Sequence, residues 1–182
     1  MKQFALLFLV AISFSIHAKK GAEVKLAQIE IYNGLVKIKV PSTFKQLADG
    51  DIKSLYSKEL PAIKMAYADT DKNVRIGFGS TQLNAKEQTL PAITNMIEGW
   101  LKEQNPKTKW KDKSVIDVNG AKVGYIEYIQ KKPEKNYKFV FFTLFRGQML
   151  ACKFHAPKKG FKSWQTIAHE MMQSLIIEKE KK

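Results

Sequence analysis

Hydrophobic and polar positions alternate with period two over much of this chain and shift to a spacing of three and four in only a few stretches. Period two marks a strand with one face buried, and three-and-four spacing marks an amphipathic helix. In KLAQIEIYNGLVKIKVP, residues 25–41, Val36, Ile38 and Val40 alternate with Lys37 and Lys39, and Pro41 closes the run. Asn33-Gly34 sits between the two arms, and both residues tolerate the positive φ of a tight hairpin turn. Residues 44–58 read as a loop with a short helix. IKMAYADTDKNVRIGFGSTQL predicts a second hairpin, with its turn in residues 70–73 and Val74, Ile76 and Phe78 on one face.

Helical spacing appears next. Leu90, Ile93, Met96, Ile97, Trp100 and Leu101 form one stripe, with Thr89 as the expected N-cap and Pro91 in the first turn, where its missing N–H costs nothing. Asn105-Pro106 ends that helix. Four strands follow, about 108–118, 121–131, 137–146 and 148–156, joined by Asn119-Gly120, a KKPEKN loop and Arg146-Gly147. Phe139, Phe141 and Phe145 point one way, and Val140, Phe142 and Leu144 the other. Leu150, Cys152 and Phe154 oppose Met149 and Ala151. Apolar residues on both faces require cover on both faces. The closing FKSWQTIAHEMMQSLIIEKEKK supplies one cover, with Trp164, Ile167, Ala168, Met171, Met172, Leu175 and Ile176 in a stripe. Ser163 is its expected N-cap, and Lys179, Lys181 and Lys182 its basic C-terminal end. The fold class is α+β: an antiparallel β-sheet covered by helices on both faces.

The first eighteen residues, MKQFALLFLVAISFSIHA, have a short positive start and an uncharged apolar run from Phe4 to Ile16. That run is shorter than the roughly twenty residues of a membrane-spanning helix, and Ala18 suits a signal peptidase. Residues 1–18 are read as a cleavable signal peptide and 19–182 as one domain, placed in the periplasm or secreted. Lys19 and Lys20 just past the cut favour the other reading, an uncleaved anchor. Cys152 is the only cysteine, so no internal disulfide staples the fold and the hydrophobic core must carry it.

Lys plus Arg number 31 against 17 Asp plus Glu, a formal charge of +14. Only Arg75 and Arg146 are arginines. Lysine lacks the planar fork that grips phosphate in two places, so the basicity reads as solubility or attraction to acidic surfaces and not as nucleic-acid binding. In KTKWKDK, Lys107, Lys109, Lys111 and Lys113 alternate and would line one face of a strand, opposite Trp110 and Asp112. They guard an edge strand against pairing with another chain, or they form a basic stripe for an acidic protein or anionic membrane surface.

HEMMQ, residues 169–173, stops one residue short of the zinc-hydrolase pattern His-Glu-x-x-His. Gln173 stands where the second histidine would be, and glutamine is a poor zinc ligand. The reading is a boundary helix with Glu170 towards solvent and with no metal or other cofactor. Two alternatives remain: a metal-dependent hydrolase using His155, His169 and Glu170, and a small-molecule carrier with an apolar cavity between sheet and helix. GFGST, residues 77–81, lacks both the Rossmann spacing and the P-loop lysine, and its glycines mark a bulge or close packing. Cys152 lies mid-strand on an apolar face and reads as a buried structural thiol.

The order hairpin, short helix, hairpin, helix, four-strand meander, helix, together with NGLVKIKVPSTF, NGAKVGYIEYI and FKSWQTIAHEMMQSLII, resembles the PsbP-like family over about residues 26–177. The resemblance implies an α/β/α sandwich around an antiparallel sheet. It also implies a generally non-catalytic domain, in a family that includes photosystem extrinsic subunits, a nuclear-transport GTPase-binding factor, bacterial envelope proteins and secretion chaperones. That family has no universal binding residues, so it assigns none here. The expected function is an exported, non-catalytic domain that binds a protein or lipid partner.

Overall fold

The computed structural model describes residues 24–57, 63–81, 89–104, 106–131 and 134–178. The expected signal sequence, Lys19, Lys20 and the terminal lysines 179, 181 and 182 lie outside the described residues.

The first hairpin joins β1 (Leu26–Ile31) to β2 (Val36–Pro41). Tyr32, Asn33 and Gly34 between them have φ of 53°, 56° and 79°, the left-handed turn that Asn-Gly signals. Then come β3 (Lys45–Gln46), α1 (Asp49–Tyr56), β4 (Ile63–Ala68), β5 (Arg75–Thr81) and α2 (Leu90–Gln104). The meander follows as β6 (Lys109–Val118), β7 (Ala121–Gln130), β8 (Asn136–Phe145) and β9 (Gln148–Pro157), and the described chain closes with α3 (Phe161–Gln173) and β10 (Ile176–Ile177). Asn119-Gly120 and Arg146-Gly147 repeat the positive-φ turn between meander strands.

The strands form two antiparallel sheets. Three make the order β1-β2-β10, and seven make β3-β4-β5-β9-β8-β7-β6. Alternate residues of β8 enter different cores. Tyr137, Phe139, Phe141 and Phe145 pack with Ile167, Ala168, Met171 and Met172 of α3 and with Val36, Ile38 and Val40 of β2. Val140 and Phe142 pack with Leu90, Ile93 and Leu101 of α2. A smaller cluster joins Ile52 and Tyr56 of α1 to Ile63, Ala66 and Ala68 of β4. Gly124 of β7 permits the close approach of α2: a Cβ there would lie 2.5 Å from the Phe142 ring and 2.9 Å from Thr94 Oγ1.

Three sequence expectations change. The last helix ends at Gln173, and Ile176 and Ile177 pair with Lys37 and Val36 of β2 in place of extending the stripe. The Ser174 hydroxyl donates to the Met171 carbonyl at 2.6 Å, and Asn119 of the β6–β7 turn donates to the carbonyls of Gln173 and Leu175. The terminal carbonyls are thereby satisfied, and two β-branched residues complete the edge of the small sheet. The start also moves: Gly160, at φ 81°, precedes the helix, and Ser163 lies inside it without capping. In α2, Met96 and Trp100 are exposed, at 58% and 37%. At 3.6 residues per turn they fall about 120° and 80° from the line of Leu90, Ile97 and Leu101, beyond the width that one sheet covers.

No helix among the described residues is long and apolar enough to cross a membrane.

Candidate functional site

The strand alternation decides where each candidate side chain goes. On the α3 side of β7, one position in the apolar series is a glutamate. Glu127 is 1% exposed. Gln165 Nε2 donates to its Oε1 at 2.8 Å, and His169 Nε2 lies 3.3 Å from its Oε2. Gln165 and His169 are one helical turn apart on α3, so a single face of that helix brings both to one carboxylate. The His169 ring also rests on Phe139 and meets Tyr125 edge-on, with centroids 4.7 and 5.5 Å away. Tyr125 donates its hydroxyl to Asp112 at 2.7 Å. Burial, then the Asp112 bond and the charges of Asp112 and Glu127, push its pKa up to about 12. His169 is therefore held by a structural network, and Glu170 is exposed to solvent beside it.

His155 lies elsewhere. It alternates on β9 with Phe154 and Ala156, which belong to the α3 core, so it faces the opposite side of the sheet from His169. Histidines on opposite faces of one sheet cannot share an ion through bonds of about 2 Å. The grouping of His155, His169 and Glu170 as a metal site is corrected by this geometry. Cys152 is buried on the α3 side, and burial raises its pKa, which suits a structural thiol.

On the other face, the register places Arg75 of β5 opposite His155, and His155 opposite Lys138 of β8. The three side chains form one row across neighbouring strands. They line a cleft of about 650 Å³, within the range of small-ligand sites. Ser54, Leu55 and Ser57 at the end of α1 form one wall. Gln130, Glu134, Lys135 and Asn136, at the β7–β8 connection, form the other. The α1 wall is fixed from below and from the side. A Cβ at Gly77 would lie 2.9 Å from Ile63 Cγ2 and 3.0 Å from Tyr56 Cζ, so only glycine lets Tyr56 settle on β5. Lys72 of the β4–β5 turn pairs with Asp51 of α1 at 2.6 Å.

Arg75 stacks over Tyr56, with its guanidinium carbon 5.7 Å from the ring centroid, and its Nη1 donates to the Lys72 carbonyl at 3.1 Å. Its Nε is buried without a hydrogen-bond partner, and so is Nδ1 of His155. A buried polar atom left unpaired costs about 1–3 kcal/mol, and such atoms in a native fold call for an explanation. Burial first, and then the charges of Lys138 and Arg75, lower the His155 pKa to about 2, so its ring is neutral at any ordinary pH. The row holds two cations with an uncharged donor–acceptor ring between them. Most of the described lining residues carry polar or charged side chains, Leu55 and Pro157 being the apolar ones, whereas a carrier is expected to have an apolar cavity.

The four lysines of the expected stripe are exposed but do not share a face. Lys107 lies in the turn before β6. A register shift between Trp110 and Asp112 makes Lys111 the extra residue. Lys109 pairs in register with Ile129, on the α3 side. Lys113 pairs with Ile126, on the α2 side, where it bonds to Asn95 and Glu98. Lys111 sits 4.8 Å from the Phe161 ring of α3. All four flank an outer strand of the seven-stranded sheet.

No family model and no curated protein matches the sequence. Solved structures do. The solution structure of cyanobacterial PsbP from Synechocystis superposes with a TM-score of 0.63 at 8% identity, covering 87% of this chain and 95% of that one. The chain has the PsbP-like fold. The Saccharomyces cerevisiae Ran-binding protein Mog1p matches it at TM-score 0.56 and 14% identity, over 85% of this chain and 96% of that one. LpqN of Mycobacterium tuberculosis, involved in cell envelope biogenesis, matches at 0.54 and 11%, over 86% and 92%. At such identities the PsbP-like architecture is shared, and the residues of the cleft are argued from this chain alone.

Arg75, Lys138, Glu127 and Gln165 were not singled out by sequence reasoning. Their one signal was phase: Glu127 interrupts an apolar face, and Lys138, Lys153 and His155 continue the faces of Val140 and Ala151 in polar form.

Proposed function

We propose that this chain is a non-catalytic domain, exported to the periplasm or secreted after loss of residues 1–18, that binds a protein partner of acidic character. Its layers are taken as helix, sheet, helix, with α3 on one face and α1 and α2 on the other. The observation that carries the reading is a fold shared with a Ran-binding protein, joined to an exposed lysine-rich outer strand, in a chain of formal charge +14. LpqN's involvement in envelope biogenesis supports the envelope setting. Lys107, Lys109, Lys111 and Lys113 wrap that strand instead of lining one side, which suits a partner that grips an edge.

Capture from envelope extract tests it. A specific protein retained at low salt, and released when all four lysines are changed to glutamine, is the expected result. Equal retention by the quadruple variant removes the lysines from the interface, and retention only by anionic vesicles turns the partner into a lipid surface. N-terminal sequencing of the exported chain should begin at Lys19, and a start at Met1 overturns the signal assignment.

A further inference from the structure

A second site is present on the sheet face away from α3. We infer that the cleft between α1 and the β7–β8 connection binds a phosphate monoester, with the phosphate seated between Arg75 and Lys138 against His155. The cross-strand register sets these residues side by side, with neighbouring strands about 5 Å apart. Arg75 Nη1 is already used on the Lys72 carbonyl, while its Nε is buried and unpaired. An anion arriving at that edge accepts the bond that the fold leaves unmade. Nδ1 of His155 is the second unpaired buried atom, and a neutral ring presents it without adding a third positive charge. Among the described lining residues, Arg75, Lys135 and Lys138 outnumber the single acid, Glu134, which favours an anion over a cation. A phosphate offers several strong acceptor oxygens to such a set. The cleft is larger than a phosphate alone. Ser54, Ser57, Asn73 and Asn136 around it match a hydroxylated body of the glycerol or sugar class.

The test is a titration of the ¹⁵N-labelled chain with glycerol 3-phosphate, followed by backbone amide shifts, with glycerol as the uncharged control. Saturable shifts confined to residues 73–75, 136–138 and 153–157 are expected. Arg75→Gln and Lys138→Gln should each weaken binding at least about tenfold, and Lys109→Gln should leave it unchanged within about twofold. Each variant's own spectrum shows whether it is folded, and Lys138→Gln keeps the test decisive if loss of the Arg75–Tyr56 stack unfolds the other. Shifts that do not saturate, that glycerol reproduces, or that both variants retain overturn the proposal. A vesicle arm separates the sources of the phosphate. Cosedimentation with phosphatidic acid but not phosphatidylcholine vesicles, lost in Lys138→Gln, assigns a lipid headgroup, and saturable binding of glycerol 3-phosphate alone assigns a soluble ester. The titration reads the cleft only, so its failure leaves the lysine-edge reading of β6 standing.

Discussion

The two faces of the β7-β8-β9 sheet hold their ionisable groups differently. On the α3 face, Glu127 is fully buried, and both its oxygens meet a side chain from the helix above. On the cleft face, Arg75 and His155 each keep one buried nitrogen unpaired; the α3 side has an unpaired atom too, the Tyr137 hydroxyl, but that side chain is sealed in the core at 0% exposure and lines no part of the cleft. A buried carboxylate with its partners in place holds the helix in register, whereas unpaired donors under a solvent-connected cleft are groups set aside for something that arrives. The sheet therefore carries the Glu127 network and the Arg75–His155–Lys138 row on separate sides.

Substitutions break or sharpen this contrast. The largest effect belongs to Glu127→Ala, which leaves Gln165 and His169 facing a void; urea denaturation should show about 2–3 kcal/mol lost. Gly124→Ala follows at about 2 kcal/mol, because the added methyl meets the Phe142 ring and Thr94 of α2, and the thermal midpoint should fall accordingly.

His155→Leu should stay within about 1 kcal/mol of the parent or exceed it, since it removes an unpaired group. A loss as large as that of Glu127→Ala would erase the distinction between the faces. The same variant has a pH signature. The folded pKa of His155 lies near 2, below the ordinary value of 6.5. Below pH 6.5 the unfolded chain therefore takes up a proton that the folded chain refuses. Stability falls from pH 6.5 downward towards pH 2, and His155→Leu should flatten that part of a pH–stability curve.

The smallest effect is expected for Lys113→Ala, about 0.5 kcal/mol, because its pair with Glu98 is solvent-screened. The hydrogen bond from Lys113, and then that from Lys102, holds the Glu98 pKa below its ordinary value. This increment is present above the ordinary carboxylate range and is lost as pH falls through the depressed pKa. High salt should shrink it, whereas the Glu127 effect should persist.

Legibility in the sequence followed the range of the interactions involved. The hairpin turns at Asn33-Gly34, Asn119-Gly120 and Arg146-Gly147 and the paired faces of Phe139 and Val140 were readable, because turn chemistry and strand alternation act over a few residues. The end of α3 was not: Leu175 and Ile176 continue a helical stripe on paper. What stops the helix is Asn119, more than fifty positions away, capping it, together with the open edge of β2 that receives Ile176 and Ile177. The β6 lysines were misphased because one extra residue in a strand exchanges its faces, and a bulge depends on the partner strand. His155 and His169 were both visible as candidates, but on which side of the sheet each would lie was not.

Local order, the apolar faces, the lone thiol and the basic balance are properties of short stretches, and the amino-acid order alone determined them. The joining of Arg75, Lys138 and His155 into one row, and of Glu127 with Gln165 and His169 into another, was decided only by tertiary structure. Strand order brings together residues as much as eighty positions apart. No periodicity within a single strand records which neighbour it will receive, because that choice is made by the packing of whole layers against one another.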